Sequence, residues 1–153
     1  MYKKLTVIAL FVFALAVSAQ WQNPLIGVWK VTEIAVPNEP KITTPQPGLY
    51  IFTPKYYSIV RIESGKPGPA FASRAEAKDA DIIATFDALV AQSGTYTVSG
   101  STIRRRPLVA KMPYVMTGPE AQYEFSRSGT TLVLTDKPAD GSAGTVVRLT
   151  RVE

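Results

Sequence analysis

Eight short runs rich in β-branched and aromatic residues cross the chain, and the connections between them alternate between tight and long. The runs are 25–36, 48–53, 56–62, 94–99, 101–110, 120–126, 130–135 and 144–152. Pro54-Lys55, a turn about Gly100, and Arg127-Ser128-Gly129 make tight hairpins. The other connections are long. The first, 37–47, carries four prolines, 111–119 runs from Lys111-Met112-Pro113 to Pro119, and 136–143 precedes the last run. In an up-and-down meander, alternate connections fall at the same end, so every long connection lands at one end and every hairpin at the other. This parity predicts an all-β fold, an eight-stranded antiparallel up-and-down β-barrel with a closed bottom and an elaborated mouth. Such a barrel has room for side chains or for one small ligand.

One α-helix is predicted between the third and fourth strands. Ser73-Arg74-Ala75-Glu76 fits a capping box, in which hydroxyl and carboxylate satisfy opposing orphan N–H groups. Ile82, Ile83, Phe86, Leu89 and Val90 then form one apolar stripe at helical spacing, and Ser93-Gly94 ends it.

The chain has no His and no Cys. Thiol nucleophiles, Ser-His-Asp relays, zinc fingers and His-ligated haem are therefore excluded, and no catalytic residue, metal ligand or cofactor is assigned. Residues 1–19 read as a signal peptide. Met1 to Lys4 supply a basic start, thirteen uncharged residues follow from Leu5 to Val17, and Val17-Ser18-Ala19 offers small residues for cleavage. The uncharged stretch 5–19 falls short of the ~20 residues needed to span a bilayer, so no stable membrane insertion is expected after its removal. A secreted or periplasmic bacterial domain over 20–153 is the resulting expectation, stabilised by packing rather than disulfides. Of 17 basic residues, losing Lys3 and Lys4 leaves 15 against 12 acidic ones, a net charge of +3. Arg104-Arg105-Arg106 lies in a predicted strand without repeating aromatic-basic pattern, so nucleic acid is not an expected partner.

Leu25-Ile26-Gly27-Val28-Trp29 resembles the Gly-x-Trp opening of lipocalins and bacterial lipocalin-like domains, and Gly48-Leu49-Tyr50-Ile51-Phe52-Thr53-Pro54 is similar to a strand of the latter. The resemblance implies that Gly27 and Trp29 are structural, at the closed end of the first strand, with Arg151 of the last strand packed over the indole. Two departures stand out: Arg127-Ser128-Gly129 replaces the family's Thr-Asp-Tyr turn, and Leu149 replaces a Trp common before the final Arg.

Strand alternation selects the candidate ligand-binding residues. If Trp29 points inward, so do Val31 and Glu33; if Ile103 does, so does Arg105, with Arg104 and Arg106 outside. Arg105 offers a planar fork of donors to an acidic head group, unless a bulge near Pro107 returns it to solvent. Glu33 could serve as its counter-ion, or lie at the rim. Tyr57, Tyr96 and Tyr123 present apolar bodies with hydroxyl tips that can orient a ligand or fill the core. In the second and third strands both faces are apolar. One holds Tyr50, Phe52, Tyr57 and Ile59, the expected interior; the other holds Leu49, Ile51, Tyr56, Val60 and Ile62, with one of the two beneath the helix.

Three functions follow from these readings. The first is a secreted binding protein for a small, largely apolar or amphiphilic ligand, with an anionic head as one form. The second is an enzyme of the same fold that isomerises or cyclises a lipid-like substrate. The third is an interaction domain with a side-chain-filled barrel, whose Pro-rich mouth loops meet a partner protein.

Overall fold

The computed structural model describes residues 23–153; the predicted signal at 1–19 lies outside the described residues. No helix among the described residues is long and apolar enough to cross a membrane. The strands are β1 (Gly27–Ala35), β2 (Gly48–Phe52), β3 (Tyr56–Ile62), β4 (Leu89–Ser99), β5 (Thr102–Ala110), β6 (Ala121–Ser128), β7 (Thr131–Asp136) and β8 (Val146–Arg151). They pair antiparallel in chain order, and β1 pairs with β8 to close the barrel. This is the up-and-down architecture predicted from the loop parity. Helix α1 (Asp79–Ala88) sits between β3 and β4, and a four-residue helix, α2 (Tyr114–Thr117), lies between β5 and β6.

The short turn between β2 and β3 sets Phe52 opposite Tyr57 and Tyr50 opposite Ile59. That face is the interior: all four side chains are buried, while Leu49, Ile51, Tyr56 and Val60 are exposed on the outer wall. Helix α1 buries none of its own residues. Leu25, Trp29, Val31, Ile34, Tyr96, Ile103, Leu132, Leu134, Val147 and Leu149 complete the core, its aliphatic members each contributing roughly 1.5–3 kcal/mol through burial of apolar surface.

Two expectations need correction. The helix is shorter at both ends than its periodicity predicts. Ser73 to Glu76 form a turn closed by Glu76 N donating to Ser73 O at 3.2 Å, and the helix starts after Lys78 with no side-chain cap. Leu89 and Val90, read as the end of the apolar stripe, open β4 instead, opposite Ile62 and Arg61. The seven residues of β3 need a partner along their full length, and that pairing outweighs helical period in a run that suits either state.

Glu33 does not share the inward face with Val31. The β1–β8 register shifts between Val31 and Glu33, so Thr32 is an extra residue and the alternation flips. Ile34 then points inward, and Glu33 stands on the outer wall opposite Arg148, with oxygens 3.8 Å from Arg148 and 3.2 Å from Lys41. A bulge does lie beside Pro107: Ser93 pairs with Val109 and Gly94 with Pro107, which leaves Leu108 of β5 as the extra residue. It falls beyond Arg105, which remains inside.

Candidate functional site

The two ends of the barrel differ in chemistry. At the hairpin end Trp29 is fully buried, and its indole N–H donates to Leu25 O at 2.7 Å. The guanidinium carbons of Arg151 and Arg127 lie 5.5 and 5.6 Å from its ring, within cation–π range. Arg151 stands directly across from Trp29 in the β1–β8 pair. Gly27 enters this corner with φ +136°, and a Cβ there would lie 2.5 Å from Glu153 O, so the position suits glycine alone. Tyr96 also belongs to this end. Its hydroxyl accepts from Asn23 Nδ2 at 2.7 Å and donates to Thr53 O at 2.6 Å, which ties the hairpin end together rather than facing the mouth.

Towards the mouth the interior turns polar. A cavity of about 120 Å³ is bounded by Tyr50, Arg61, Glu63, Arg105, Tyr123 and Asp136, among others. Strand alternation delivers each of them: Arg61 follows Tyr57 and Ile59 inward on β3, Arg105 follows Ile103 on β5, and Asp136 follows Leu132 and Leu134 on β7. Arg61 is largely satisfied, donating through Nη1 to the Tyr50 hydroxyl and through Nη2 to Glu63 Oε1 at 2.8 Å. Its Nε is buried without a partner among the described residues.

Arg105 is different. It is only 4% exposed, and among the described residues its Nε and Nη1 have no hydrogen-bond partner. Its guanidinium carbon sits 3.7 Å from the Tyr123 ring centre and 5.2 Å from that of Tyr57. Stacking of this kind returns about 2 kcal/mol when desolvated. Burying the charge costs several kcal/mol even after relaxation, so the rings do not offset it. Among the described residues no carboxylate lies within ion-pair distance of Arg105. The cavity volume matches roughly four waters at about 30 Å³ each, or one small anionic group.

Burial dominates the titration of the neighbouring groups. Burial pushes the Tyr57 hydroxyl up to about 12, against the lowering field of Arg105, so it stays protonated and donates to Gln92 Oε1 at 3.2 Å. Burial likewise raises the Tyr50 hydroxyl and the Asp136 carboxyl, the latter against the fields of Arg105 and Arg61 and a bond from the Lys137 N–H. Of the five sequence candidates, Arg105 and Tyr123 line the cavity and Tyr57 flanks it through Arg105 and Gln92. Tyr96 faces the hairpin end and Glu33 the outer wall. Sequence reasoning missed Arg61, Glu63 and Asp136, although counting in twos from Ile59 and Leu134 reaches Arg61 and Asp136.

No protein-family model matches the chain, and no curated protein sequence does. Among solved structures, a lipocalin-like protein from Bacteroides uniformis ATCC 8492 is similar over 83% of this chain and 97% of its own, with 12% identity and a TM-score of 0.48. An uncharacterized protein from Bacteroides eggerthii DSM 20697 is similar over 83% and 98%, with 9% identity and a TM-score of 0.47. Strand number, order and closure here are those of an eight-stranded up-and-down antiparallel barrel.

Proposed function

We propose that the protein is a binding module that holds the anionic group of a small amphiphilic ligand at the barrel mouth, with Arg105 as its anchor. One observation carries this reading: a guanidinium buried against two tyrosine rings, with two nitrogens that have no partner among the described residues, beside a cavity the size of one acidic group. A guanidinium remains charged in proteins, and its fork of donors matches a carboxylate in two places. The largely apolar ligand expected inside the barrel has little space there, because Tyr50, Phe52, Tyr57 and Tyr96 fill the interior. The head group alone enters.

Hexanoate should therefore bind more tightly than 1-hexanol, by about 1.5–3 kcal/mol for a charged hydrogen bond. Arg105→Met keeps much of the apolar volume and should erase that preference. Arg104→Met and Arg106→Met alter exposed side chains on the outer wall and should preserve it. Calorimetric titration of the four proteins decides the matter, and equal affinity of wild type for acid and alcohol overturns the proposal. The filled interior also supports a second reading, an interaction domain whose Pro-rich loop at 37–47 meets a partner protein. That reading expects neither probe to bind, and expects a photo-crosslinker at Pro45 to capture one defined protein.

A further inference from the structure

A second pocket, of about 300 Å³, adjoins the Arg105 cavity, and Val90 and Gln92 line both. Its other walls include Leu89, Ala91, Met112 and Val115. It exists because β4 and β5 part company near the mouth. Gln92 opposite Ala110 is their last strand pair, after which a bond from Lys111 N to Ala91 O at 2.8 Å marks where the chain leaves. Helix α2 then packs against β5, and its Val115 lines the same pocket as the first residues of β4. Lys111 clasps this arrangement to the end of α1, donating from Nζ to Phe86 O at 2.7 Å and lying 4.5 Å from the Phe86 ring. Apolar side chains thus share the wall of this space with Asp87, Gln92 and Lys111, and α2 leaves it open, since the helix buries none of its four residues.

We infer that this pocket takes the apolar tail of the ligand whose acidic head sits on Arg105, so that the ligand class is a short-chain amphiphilic carboxylate. The inference rests on the Arg105 reading for the head group and adds the tail site. Two volumes set the class. The inner cavity admits a head and nothing longer, and the outer pocket is at the lower end of ordinary ligand sites, about 300–1,000 Å³, which limits the tail to a short chain. Shared lining by Val90 and Gln92 makes the two spaces neighbours, with the polar one inside and the apolar one at the rim.

NMR titration of the protein with acetate, hexanoate and 1-hexanol tests the inference. Both acids should shift the Arg105 Nε–H signal, and hexanoate alone should shift the methyl signals of Val90, Met112 and Val115. Hexanoate should bind at least about tenfold more tightly than acetate, since one buried methylene is worth roughly a factor of four. Val115→Trp, which fills the pocket from a half-buried position, should bring the hexanoate affinity down to that of acetate. Should hexanoate bind no better than acetate, leave those methyls unmoved, or keep its advantage in Val115→Trp, the tail site is overturned while the head site stands. If neither acid shifts Arg105 Nε–H, the head site falls and the tail site with it.

Discussion

Asp136 and Arg105 face the same small cavity, and their opposition gives the mouth a pH dependence. Burial raises the Asp136 carboxyl above its ordinary 3.8, so the folded protein takes up this proton before the unfolded chain does. The destabilisation from its buried charge is fully present above the raised value and is relieved as pH falls through it. Ionised Asp136 also repels an anion bound to Arg105. Binding of 1-hexanesulfonate, which stays ionised throughout, should therefore strengthen as pH falls through that window, and Asp136→Asn should make the profile flat. A calorimetric pH series checks this, and an unchanged profile in Asp136→Asn would place the titrating group elsewhere. At the other end, Trp29→Ala should cost about 3–5 kcal/mol in urea unfolding, as large aromatic truncations in cores do. A cost below about 1 kcal/mol would contradict its full burial. Both residue types of signal were partly legible. Arg105 could be read by alternation from Ile103, whereas Glu33 was misplaced because a one-residue bulge at Thr32 has no signature in a period-two pattern.

Among the elements, β4 shows why strands near a helix are the hardest to delimit. Its first half, Leu89 to Ser93, carries apolar residues that also complete a helical stripe, and only pairing with β3 settles their state. The C-terminal residue of that competition is Leu89, already extended at φ −82° and ψ 124°. The β2–β3 turn shows which positions share a face, but both faces are apolar, and only burial identifies the tyrosine-bearing one as interior. Gly94 is the element's tightest point. A Cβ there would lie 2.1 Å from Arg106 O, inside the irregular pairing opposite Pro107. This backbone contact cannot yield as a side chain would, so an added methyl must displace β5 at Arg106 and Pro107, next to Arg105. Gly94→Ala should thus cost about 1–3 kcal/mol, the range for overpacking, and weaken hexanoate binding. Urea unfolding within 0.5 kcal/mol of wild type, roughly the scatter for neutral surface changes, would show that the strands separate easily here.

For the whole molecule, closure is the decisive property, and it was the most legible one because loop parity depends on no single residue. Every strand has two neighbours, so no edge is left to pair with another chain. No disulfide assists, since the chain lacks cysteine. The seam between β1 and β8 therefore carries the burden of holding a linear meander shut. Its lower half is dense: Val152 N donates to Val28 O at 2.8 Å and Val28 N to Glu153 O at 3.2 Å, while on the other side of β8 Arg151 N donates to Thr130 O at 2.8 Å. Leu149 is fully buried in the core, and Arg151 lies beside Trp29. Deleting residues 149–153 would strip those bonds, open the strand edges of β1 and β7 near the hairpin end, and uncover the indole. The shortened chain should lose its single cooperative urea transition, and tryptophan fluorescence should report a solvent-exposed ring without denaturant. Circular dichroism and fluorescence transitions that still coincide, at a midpoint near that of the full chain, would mean that the remaining strands hold the barrel without its closing seam.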